Sequence, residues 1–423
     1  MLSRFRALRG ALVVVSVSGG AALFVACSAN APNAGTFTTG SGGGGNIVTS
    51  GGNGGTSSGS GIGGDLGIDG GLSGSGGSTT GPNCESGADE DLDKDGFTVQ
   101  QGDCNDCDAN VNPGAIEVIA VADADGGVPP SADEDCDGKA DNVAPTCDDT
   151  LALADGNAMH AANAIELCKV ATTADRKWGV LEAKYVRANG TSFSPGTQVG
   201  LQPGFGPNVN PQGGKRLFAM SSGHARTPGQ SDSCGSLMCT SNNKGTAPPG
   251  FPQKVAGCQG NTDIYDDTAL ELKLRSPTNA TGYSFSFFFY TFEYPEWICK
   301  TFNDQFIALV NPPPAGSING NISFDSKSNP VSVNIAFFSV CNNCALGTSA
   351  MQGTGFNEWN DAGGTSWLKT QAPIKGGDEV SIRFTIWDTG DPSYDSTALV
   401  DNFQWIANGG TVAVGTDPIE TPK

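Results

Sequence analysis

The chain carries two short runs in which aspartates alternate with other residues and a glycine follows the third aspartate. The runs are Asp91-Leu-Asp93-Lys-Asp95-Gly96 and Asp133-Glu-Asp135-Cys-Asp137-Gly138. Carboxylates at alternate positions supply the oxygen ligands that a hard cation such as Ca²⁺ requires, and the glycine permits the sharp turn that adds a backbone carbonyl. The two runs therefore predict calcium as the cofactor.

Further oxygen ligands lie between and after the two runs. An EF-hand is excluded, because Gly102 occupies the twelfth position from Asp91, where that motif has a glutamate. We expect one ion to be bound by Asp91, Asp93, Asp95 and Asp103, and another by Asp133, Asp135, Asp137 and Asp141. A third site, or a bridge between these two, is expected from Asp106, Asp108, Asn110 and Glu117.

Negative charge is concentrated in the same part of the chain. Residues 84–149 contain 19 acidic residues and two lysines, a net charge of −17, whereas the whole protein carries −21. So acidic a protein is not a natural partner of nucleic acid. The alternative to metal binding is an acidic, solvated loop, but carboxylates at this density repel one another unless they are neutralised.

Few residues have the types and spacing of a catalytic site. Glu293 and Glu296 are candidates for a glycosidase pair, but at a spacing of three in a strand they would point to opposite faces. His224 could act as a general base only beside a nucleophile, and no Gly-x-Ser-x-Gly motif supplies a nucleophilic serine. We expect that the protein is not an enzyme, and the alternative is a surface or secreted polymer hydrolase.

Seven polar residues lie beside apolar stretches in the C-terminal half: Asn303, Asp304, Asp388, Asp391, Asp395, Asp401 and Asn402. Acids next to buried aromatic residues are costly unless they are paired or bound to a cation. Two interpretations stay open, a further calcium site near a sheet edge and turn caps that accept backbone hydrogen bonds. Likewise, Trp297, Trp359 and Trp367 either stack on a sugar or belong to the core.

The chain has 13 cysteines, and if Cys27 is modified an even number remains for disulfides in an oxidising compartment. Cys104 and Cys136 are the expected pair, because each lies inside a metal loop and a bridge would hold the loops together. Zinc at Cys341 and Cys344 would need two further ligands, and the chain has only two histidines.

The elements that present these residues begin with a predicted signal peptide, residues 1–26. Three arginines precede an apolar run of 16 residues, whereas a transmembrane helix needs roughly 20. The run ends in Leu23-Phe-Val-Ala-Cys27, which resembles a lipobox with Cys27 as the lipidated residue, although Phe24 stands where leucine is usual. We expect an exported lipoprotein held at a membrane by its acyl chains, and Ser28 favours the outer membrane or cell surface.

Residues 27–83 are rich in glycine and serine and predict a disordered tether, because they cannot bury enough apolar surface to fold. Residues 147–408 instead contain alternating apolar and polar runs at 178–186, 283–290, 331–338 and 380–387, after a helix at about 158–170. These runs predict a mainly β fold, an antiparallel β-sandwich of jelly-roll type with one short helix. Residues 409–423 are expected to be a tail.

The acidic segment, residues 84–146, resembles the MopE-type metal-binding motif of bacterial surface proteins, which is akin to thrombospondin type 3 calcium repeats. The resemblance rests on Asp91-x-Asp-x-Asp-Gly-Phe97, Gly102-Asp-Cys-Asn-Asp106, Asn112-Pro-Gly-Ala-x-Glu117 and Asp133-Glu-Asp-Cys-Asp-Gly138. Departures are Cys107 and a long stretch at 118–132. The resemblance implies calcium loops.

The C-terminal part is similar to the choice-of-anchor L domain. The similarity rests on Ile165-Glu-Leu-Cys168, Phe292-Glu-Tyr-Pro-Glu-Trp297, Gly364-Thr-Ser-Trp-Leu368 and Ile386-Trp-Asp-Thr-Gly-Asp391. It implies a surface-attached β domain, here anchored by the N-terminal lipid. We expect a calcium-stabilised spacer and a sandwich that binds a polysaccharide, matrix or protein partner.

Overall fold

A computed structural model describes residues 86–120, 127–128, 130–143, 145–240, 243–358, 361–407, 410–420 and 422. The predicted signal peptide, Cys27 and the Gly/Ser-rich tether lie outside the described residues. The chain divides into two units, Met1–Gly77 and Ser78–Lys423, and every described residue belongs to the second. Across this part of the chain, none of the helices has the length and apolar character needed to cross a bilayer.

The described residues contain one α-helix, α1 (Ala158–Asn163), and four short 3₁₀ segments (Val99–Gln101, Gly196–Gln198, Ser349–Met351 and Phe356–Glu358). The strands are β1 (Gly179–Val186), β2 (Val199–Gln202), β3 (Leu217–Ser221), β4 (Ile264–Arg275), β5 (Gly282–Thr291), β6 (Gln305–Asn311), β7 (Val331–Ser332), β8 (Val340–Cys341), β9 (Gly363–Gly364), β10 (Leu368–Pro373), β11 (Glu379–Thr389), β12 (Ser396–Ile406) and β13 (Gly415–Pro418).

These strands form two antiparallel sheets that pack as a sandwich, which confirms the predicted fold class. The first sheet has the order β1-β4-β11-β6-β7 and the second the order β13-β10-β5-β12-β3-β2, with β9 joined to β5 and β8 to β9. Strands that follow one another in the chain are often not neighbours, since β4 lies between β1 and β11. The chain therefore crosses repeatedly between the two sheets.

Strand β5 lies near the middle of the second sheet and is buried along its whole length. Its sequence alternates two apolar faces, as the period of two in a strand requires. Phe285 and Phe287 point into the core between the sheets, where Phe285 contacts Phe384 of β11 and Phe287 contacts Phe306 of β6. Tyr290 faces the other side, where loops cover a second apolar cluster.

The helix is shorter than predicted, since α1 ends at Asn163 instead of extending to about residue 170. It begins where the side chain of Asn157 accepts a hydrogen bond from Met159 N. Beyond its end, Glu166 has a φ of 70°, a left-handed conformation that cannot continue a right-handed helix. The next turn leads to Cys168, which is bonded to Cys147.

The run at 331–338 was predicted to be one strand, and this is wrong beyond its first two residues. Strand β7 is Val331–Ser332, and a turn follows in which Ile335 N donates to Ser332 O. The Ser332 hydroxyl accepts a hydrogen bond from Asn334 N. The side-chain nitrogen of Asn334 donates to Asn303 Oδ1, and its side-chain oxygen accepts from Cys299 N. These side-chain hydrogen bonds satisfy backbone groups that would otherwise pair with a neighbouring strand, so the strand ends here.

Two further elements differ from a simple reading of the sequence. Gly415–Pro418, inside the segment expected to be a tail, forms β13 against β10. Cys341 and Cys344, considered for zinc, are joined by a disulfide. The other disulfides with both partners described are Cys104–Cys136, Cys147–Cys168, Cys234–Cys239 and Cys258–Cys299, and Cys107 is also disulfide-bonded.

Candidate metal centre

The first acidic loop collects five aspartates, which we call the first carboxylate group: Asp91, Asp93, Asp95, Asp103 and Asp106. Ligand atoms of two overlapping triplets, 91/93/95 and 93/103/106, lie within 4.8 Å of one another. Asp93 belongs to both triplets and therefore links the five side chains into one group.

Each carboxylate of the first group uses its two oxygens differently. In each carboxylate, one oxygen accepts a hydrogen bond from a backbone N–H. Gly96 N donates to Asp91, Asp95 N to Asp93, Phe97 N to Asp95, Asn105 N to Asp103, and Leu92 N to Asp106. The other oxygen of every one of the five is buried and has no hydrogen-bond partner. The backbone thus fixes the carboxylates while five oxygens are left for a cation.

The second carboxylate group forms around Glu117 and contains Asp133, Glu134, Asp135 and Asp141. Its triplets, 117/133/135 and 117/134/141, also lie within 4.8 Å. Glu117 Oε2 accepts from Asp141 N at 2.8 Å, and its Oε1 is buried without a partner. Asp133 accepts from Asp137 N and from Gly138 N, so the glycine turn shapes this loop as it does the first.

The grouping differs from the sequence-based expectation at several positions. Asp106 and Glu117, expected in a third or bridging site, lie in the first and second groups respectively. Asp108 and Asp137 belong to neither: Asp108 bonds Asn110, and Asp137 bonds Asn142 and faces Lys139. Sequence reasoning missed Glu134, because it lies at an even position among the alternating aspartates.

The disulfide between Cys104 and Cys136 joins the two groups. Cys104 follows Asp103 of the first group, and Cys136 follows Asp135 of the second. This is the pair singled out from the sequence, and it brings two loops 32 residues apart in the chain into contact.

The acidic segment packs directly on the sandwich through Asn112. Its Oδ1 accepts from Gly114 N at 2.9 Å and from the Thr278 hydroxyl at 2.8 Å, in the turn between β4 and β5. Gly114 must lack a side chain, because a Cβ there would lie 2.9 Å from Phe97 and 3.0 Å from Thr278. The close approach of segment and sheet depends on this glycine.

Two further contacts fix the residues that precede Glu117. Asn279 accepts from Ile116 N at 3.1 Å and donates to Ile116 O at 2.8 Å, as a neighbouring strand would. Trp178 Nε1 donates to Ala115 O at 2.9 Å, and Ala115 is fully buried. The segment is therefore a docked part of the same compact unit as the sandwich.

Burial and mutual repulsion disfavour the ionised carboxylates in both groups. Burial raises the pKa of Asp95 to about 6, and Asp93, Asp103 and Asp91 add to the rise. Burial also raises the pKa of Glu117 to about 7, with Asp135 and Glu134 contributing. A divalent cation would relieve both effects. With oxygen ligands alone, the two groups fit a hard cation such as calcium.

A groove of about 620 Å³ runs between the acidic segment and the sandwich. Trp178 and Trp405 lie on the sandwich side, and Ile119, Glu117 and Asp135 on the segment side. A second depression of about 560 Å³ adjoins it through Trp405 and Gln404. Neither tryptophan was singled out from the sequence, because their exposure depends on where the segment docks.

The other candidates are distributed as follows. Glu293 is buried and Glu296 is exposed, in a turn after β5 and not in a strand. Trp367 is buried in the core, Trp297 is half-buried against Phe302 and Tyr394, and Trp359 lies outside the described residues.

Four of the seven polar residues accept backbone hydrogen bonds: Asp304, Asp391, Asp395 and Asp401. Asp391 accepts from Ser393 N, and Asp401 accepts from Gln212 N and Gly213 N. Asn303 accepts from the Asn334 amide. Among the described residues, Asp388 accepts no backbone hydrogen bond, and its fully buried carboxylate lies beside Ser222 and Asp304.

Comparison with known proteins gives one family match. Among curated proteins and solved structures, none matches the chain. Residues 215–402 match the model of the Choice-of-anchor L domain. The match covers the sandwich from β3 into β12, and the acidic segment lies outside it. Residues 215–402 thus resemble a Choice-of-anchor L domain, which indicates an exported, surface-associated β-sandwich protein.

Proposed function

We propose that the protein is a non-enzymatic, lipid-anchored surface protein in which calcium orders the acidic segment against the sandwich. The segment and the sandwich together form a groove for an extracellular polysaccharide or protein. The observation that carries the proposal is the set of five buried carboxylate oxygens of the first group, each unpartnered and each held by a backbone bond on its other oxygen.

The acidic segment has little else to hold it folded. Among its described residues between 86 and 146, only Phe97 and Ala115 are buried hydrophobic residues. So small an apolar core cannot offset the entropy of ordering the loops. In such segments the free energy of metal binding becomes free energy of folding. Calcium would therefore order the loops and maintain their contacts with the sandwich.

Asp93→Asn and Glu117→Gln should each abolish one calcium-binding event, because each side chain belongs to both triplets of its group. Extracellular calcium modules bind with dissociation constants of about 10⁻⁴ to 10⁻³ M. Equilibrium dialysis of the full chain with elemental analysis counts the ions, and calorimetry gives the affinity. Asp108→Asn is the matched control, since Asp108 lies in the same segment but in neither group.

Calcium should also protect the segment from limited proteolysis in the wild type and the control, and less so in the two variants. No heat of binding in millimolar calcium, or equal cleavage with calcium and with chelator, would contradict the proposal. The carboxylates would then form a solvated acidic loop.

Acidification from about pH 7.5 to about 5.5 should weaken calcium binding. Asp95, with a pKa of about 6, and Glu117, with a pKa of about 7, are mostly ionised at the higher pH and mostly protonated at the lower. Each proton must leave before its oxygen binds the ion, so affinity rises with pH through this window. Between these two pH values the ionised fraction falls roughly fourfold for Asp95 and about 25-fold for Glu117, and the calcium affinity of each group is expected to fall with it.

Calorimetry at both pH values, in buffers of different ionisation enthalpy, measures the affinity and the number of protons released. Equal affinity at the two pH values without proton release would mean that neither carboxylate contacts the ion.

The groove has the character of a site for neutral or mixed-charge ligands. Trp178 and Trp405 line the groove, and Glu117, Asp135 and Lys139 supply polar groups on the segment side. Tryptophan in such a groove can contact the apolar face of a sugar, although Trp405 also packs against Tyr283 and Phe403. Because Glu117 belongs both to the groove and to the second carboxylate group, removal of calcium would deform one wall of the groove. Ligand binding is therefore proposed to require calcium.

Trp405→Ala should weaken binding of soluble polysaccharides by tenfold or more, as is common for the loss of an aromatic anchor worth about 1.4 kcal/mol or more. Tryptophan fluorescence of the calcium-loaded chain, titrated with soluble xylan, laminarin and dextran, provides the measurement. Trp297→Ala is the control, because it removes a half-buried tryptophan outside the groove. An equal effect of both variants, or binding that persists in chelator, would rule out this groove as the site.

Cys27→Ser should release the protein from membranes, because it removes the thiol that would carry the lipid. Cell fractionation measures the release, and mass spectrometry of the N-terminal peptide detects the acyl chains. Ser28→Ala is the control that keeps the cysteine. If the Cys27→Ser protein stays in the membrane fraction and the wild-type peptide carries no lipid mass, the anchor proposal fails.

A further inference from the structure

A small pocket lies beside the ends of β2 and β3, and we call it the arginine pocket. Its polar wall contains His224 and Arg226, and its apolar wall contains Phe205, Phe292 and Phe356. The described residues that line it are distinct from those of the groove and of both carboxylate groups. Its volume is about 40 Å³. Because a cavity needs roughly 10–15 Å³ to hold one water, about three non-hydrogen atoms fit inside.

Arg226 is 6% exposed, and the chain satisfies only part of its guanidinium group. Nη1 donates to Val199 O at 2.6 Å and to Ala225 O at 2.9 Å. Nε is buried and has no hydrogen-bond partner, and Nη2 has none among the described residues. One arm of the guanidinium is therefore fixed by the backbone, while the other lacks an acceptor.

The positive charge of Arg226 also lacks a paired carboxylate. In the described part of the chain, the arginines that form ion pairs are Arg187, Arg275 and Arg383. Asp232 attracts Arg226 from beyond ion-pair distance, and this aspartate is exposed to solvent. Burial lowers the pKa of Arg226, although an arginine stays protonated at neutral pH. A buried charge without a partner is unfavourable, so an anion in the pocket would stabilise the folded chain.

Asp395 lines the arginine pocket as well, but it does not cancel the charge of Arg226. Its Oδ2 accepts a hydrogen bond from Cys239 N at 2.9 Å. Burial, with repulsion from Asp304 and Asp266, raises the pKa of Asp395 well above its ordinary value. The neutral acid is therefore favoured near neutral pH, and a neutral acid does not repel an anion.

The loop that carries Arg226 is fixed by side-chain hydrogen bonds within the chain. The amides of Gln202 and Gln230 donate to each other, at 3.0 and 2.8 Å. Gln202 also donates to Ala225 O, and Gln230 accepts from Thr227 N, both at 2.9 Å. These bonds hold the residues on both sides of Arg226, so little conformational freedom remains to be lost when a ligand binds.

We propose that the arginine pocket binds a carboxylate group, which accepts hydrogen bonds from Nη2 of Arg226. A carboxylate matches the volume of the pocket, whereas sulfate and phosphate are larger. Hydrogen bonds between a guanidinium and a carboxylate are short and strong, because both groups are charged. The phenylalanines of the apolar wall suit the carbon atoms that carry the carboxylate. Its source is either a free organic acid or a uronic acid unit of a polysaccharide.

The test uses the full chain at neutral pH with sodium acetate as the probe. Acetate should raise the unfolding temperature more than sodium chloride does at the same ionic strength, and titration calorimetry gives its dissociation constant. Arg226→Gln should weaken acetate binding by roughly tenfold or more, because a hydrogen bond to a charged group is lost. Arg226→Lys, which keeps the charge, should restore part of the affinity. Arg216→Gln is the matched control, since Arg216 donates to Leu201 O of β2 but lies outside the pocket.

Gly235→Leu provides a second measurement that leaves Arg226 in place. Gly235 lines the arginine pocket, and a Cβ there would meet no atom within 4 Å. A leucine side chain can therefore enter the pocket without a clash, and it should weaken acetate binding while the chain stays folded. This variant tests the site even if Arg226→Gln does not fold.

Three outcomes would overturn the inference. The first is that neither acetate nor galacturonate binds, and the second is acetate binding that Arg226→Gln and Gly235→Leu both leave unchanged. The third is equal stabilisation by acetate and by chloride, which would mean that any small anion neutralises Arg226 and that the pocket does not select a carboxylate.

Oligomers of galacturonate distinguish the two sources of the carboxylate. An affinity for the oligomers tenfold or more above that for acetate, lost in Arg226→Gln, identifies a uronic acid unit as the ligand. Equal affinities identify a free organic acid.

This inference does not rest on the proposed function. Acetate binding that persists in chelator supports the arginine pocket even if the acidic segment binds no calcium. Laminarin and dextran carry no carboxylate, so their titrations test the groove alone.

Discussion

Burial of several carboxylates near one another, with their mutual repulsion, determines the properties of the acidic segment and of one end of the sandwich. In both places a carboxylate uses one oxygen to fix a backbone N–H and leaves the other buried. The hydrogen bond fixes the direction of the side chain but does not remove its charge. Hydrogen bonds within the chain therefore determine the shape of each cluster, while its stability depends on a cation or on protons.

The docking of the acidic segment changes how its role is understood. The sequence predicts a spacer between a tether and a sandwich, whereas Asn112, Ile116 and Trp178 connect the segment directly to the sandwich. If the segment binds calcium as proposed, its docking lets a change in bound calcium alter the surface beside it. The groove lined by Glu117 and Trp405 lies at that junction.

Local patterns were predicted well from the sequence, and long-range arrangements were not. The alternation at Asp91, Asp93 and Asp95 predicts a shared cluster because these ligands are close in the chain, and the structure brings them together. The run at 380–387 predicts β11 for the same reason. The run at 331–338 alternates equally well, but the polar contacts of Ser332 and Asn334 end the strand, and such contacts leave no periodic signal.

Asp304 and Asp388 show the limit of reasoning from the sequence alone. Asp304 and Asp388 were singled out as residues that either bind a cation or cap turns. Which of these they do depends on the packing of the two sheets, because Asp304 contacts residues more than 80 positions away. Only the fold shows that Asp388 is buried beside Ser222 and Asp304 and accepts no backbone hydrogen bond from the described residues.

The covalent bond between Cys104 and Cys136 would affect the kinetics of the proposed calcium exchange. In the chain-entropy model, closing a loop of this length removes about 4 kcal/mol of conformational freedom from the unfolded segment. If ions bind and then leave, the bridge keeps the two loops from diffusing apart. Reloading would then be fast and repeatable, and a brief fall in external calcium would loosen the segment without erasing its arrangement.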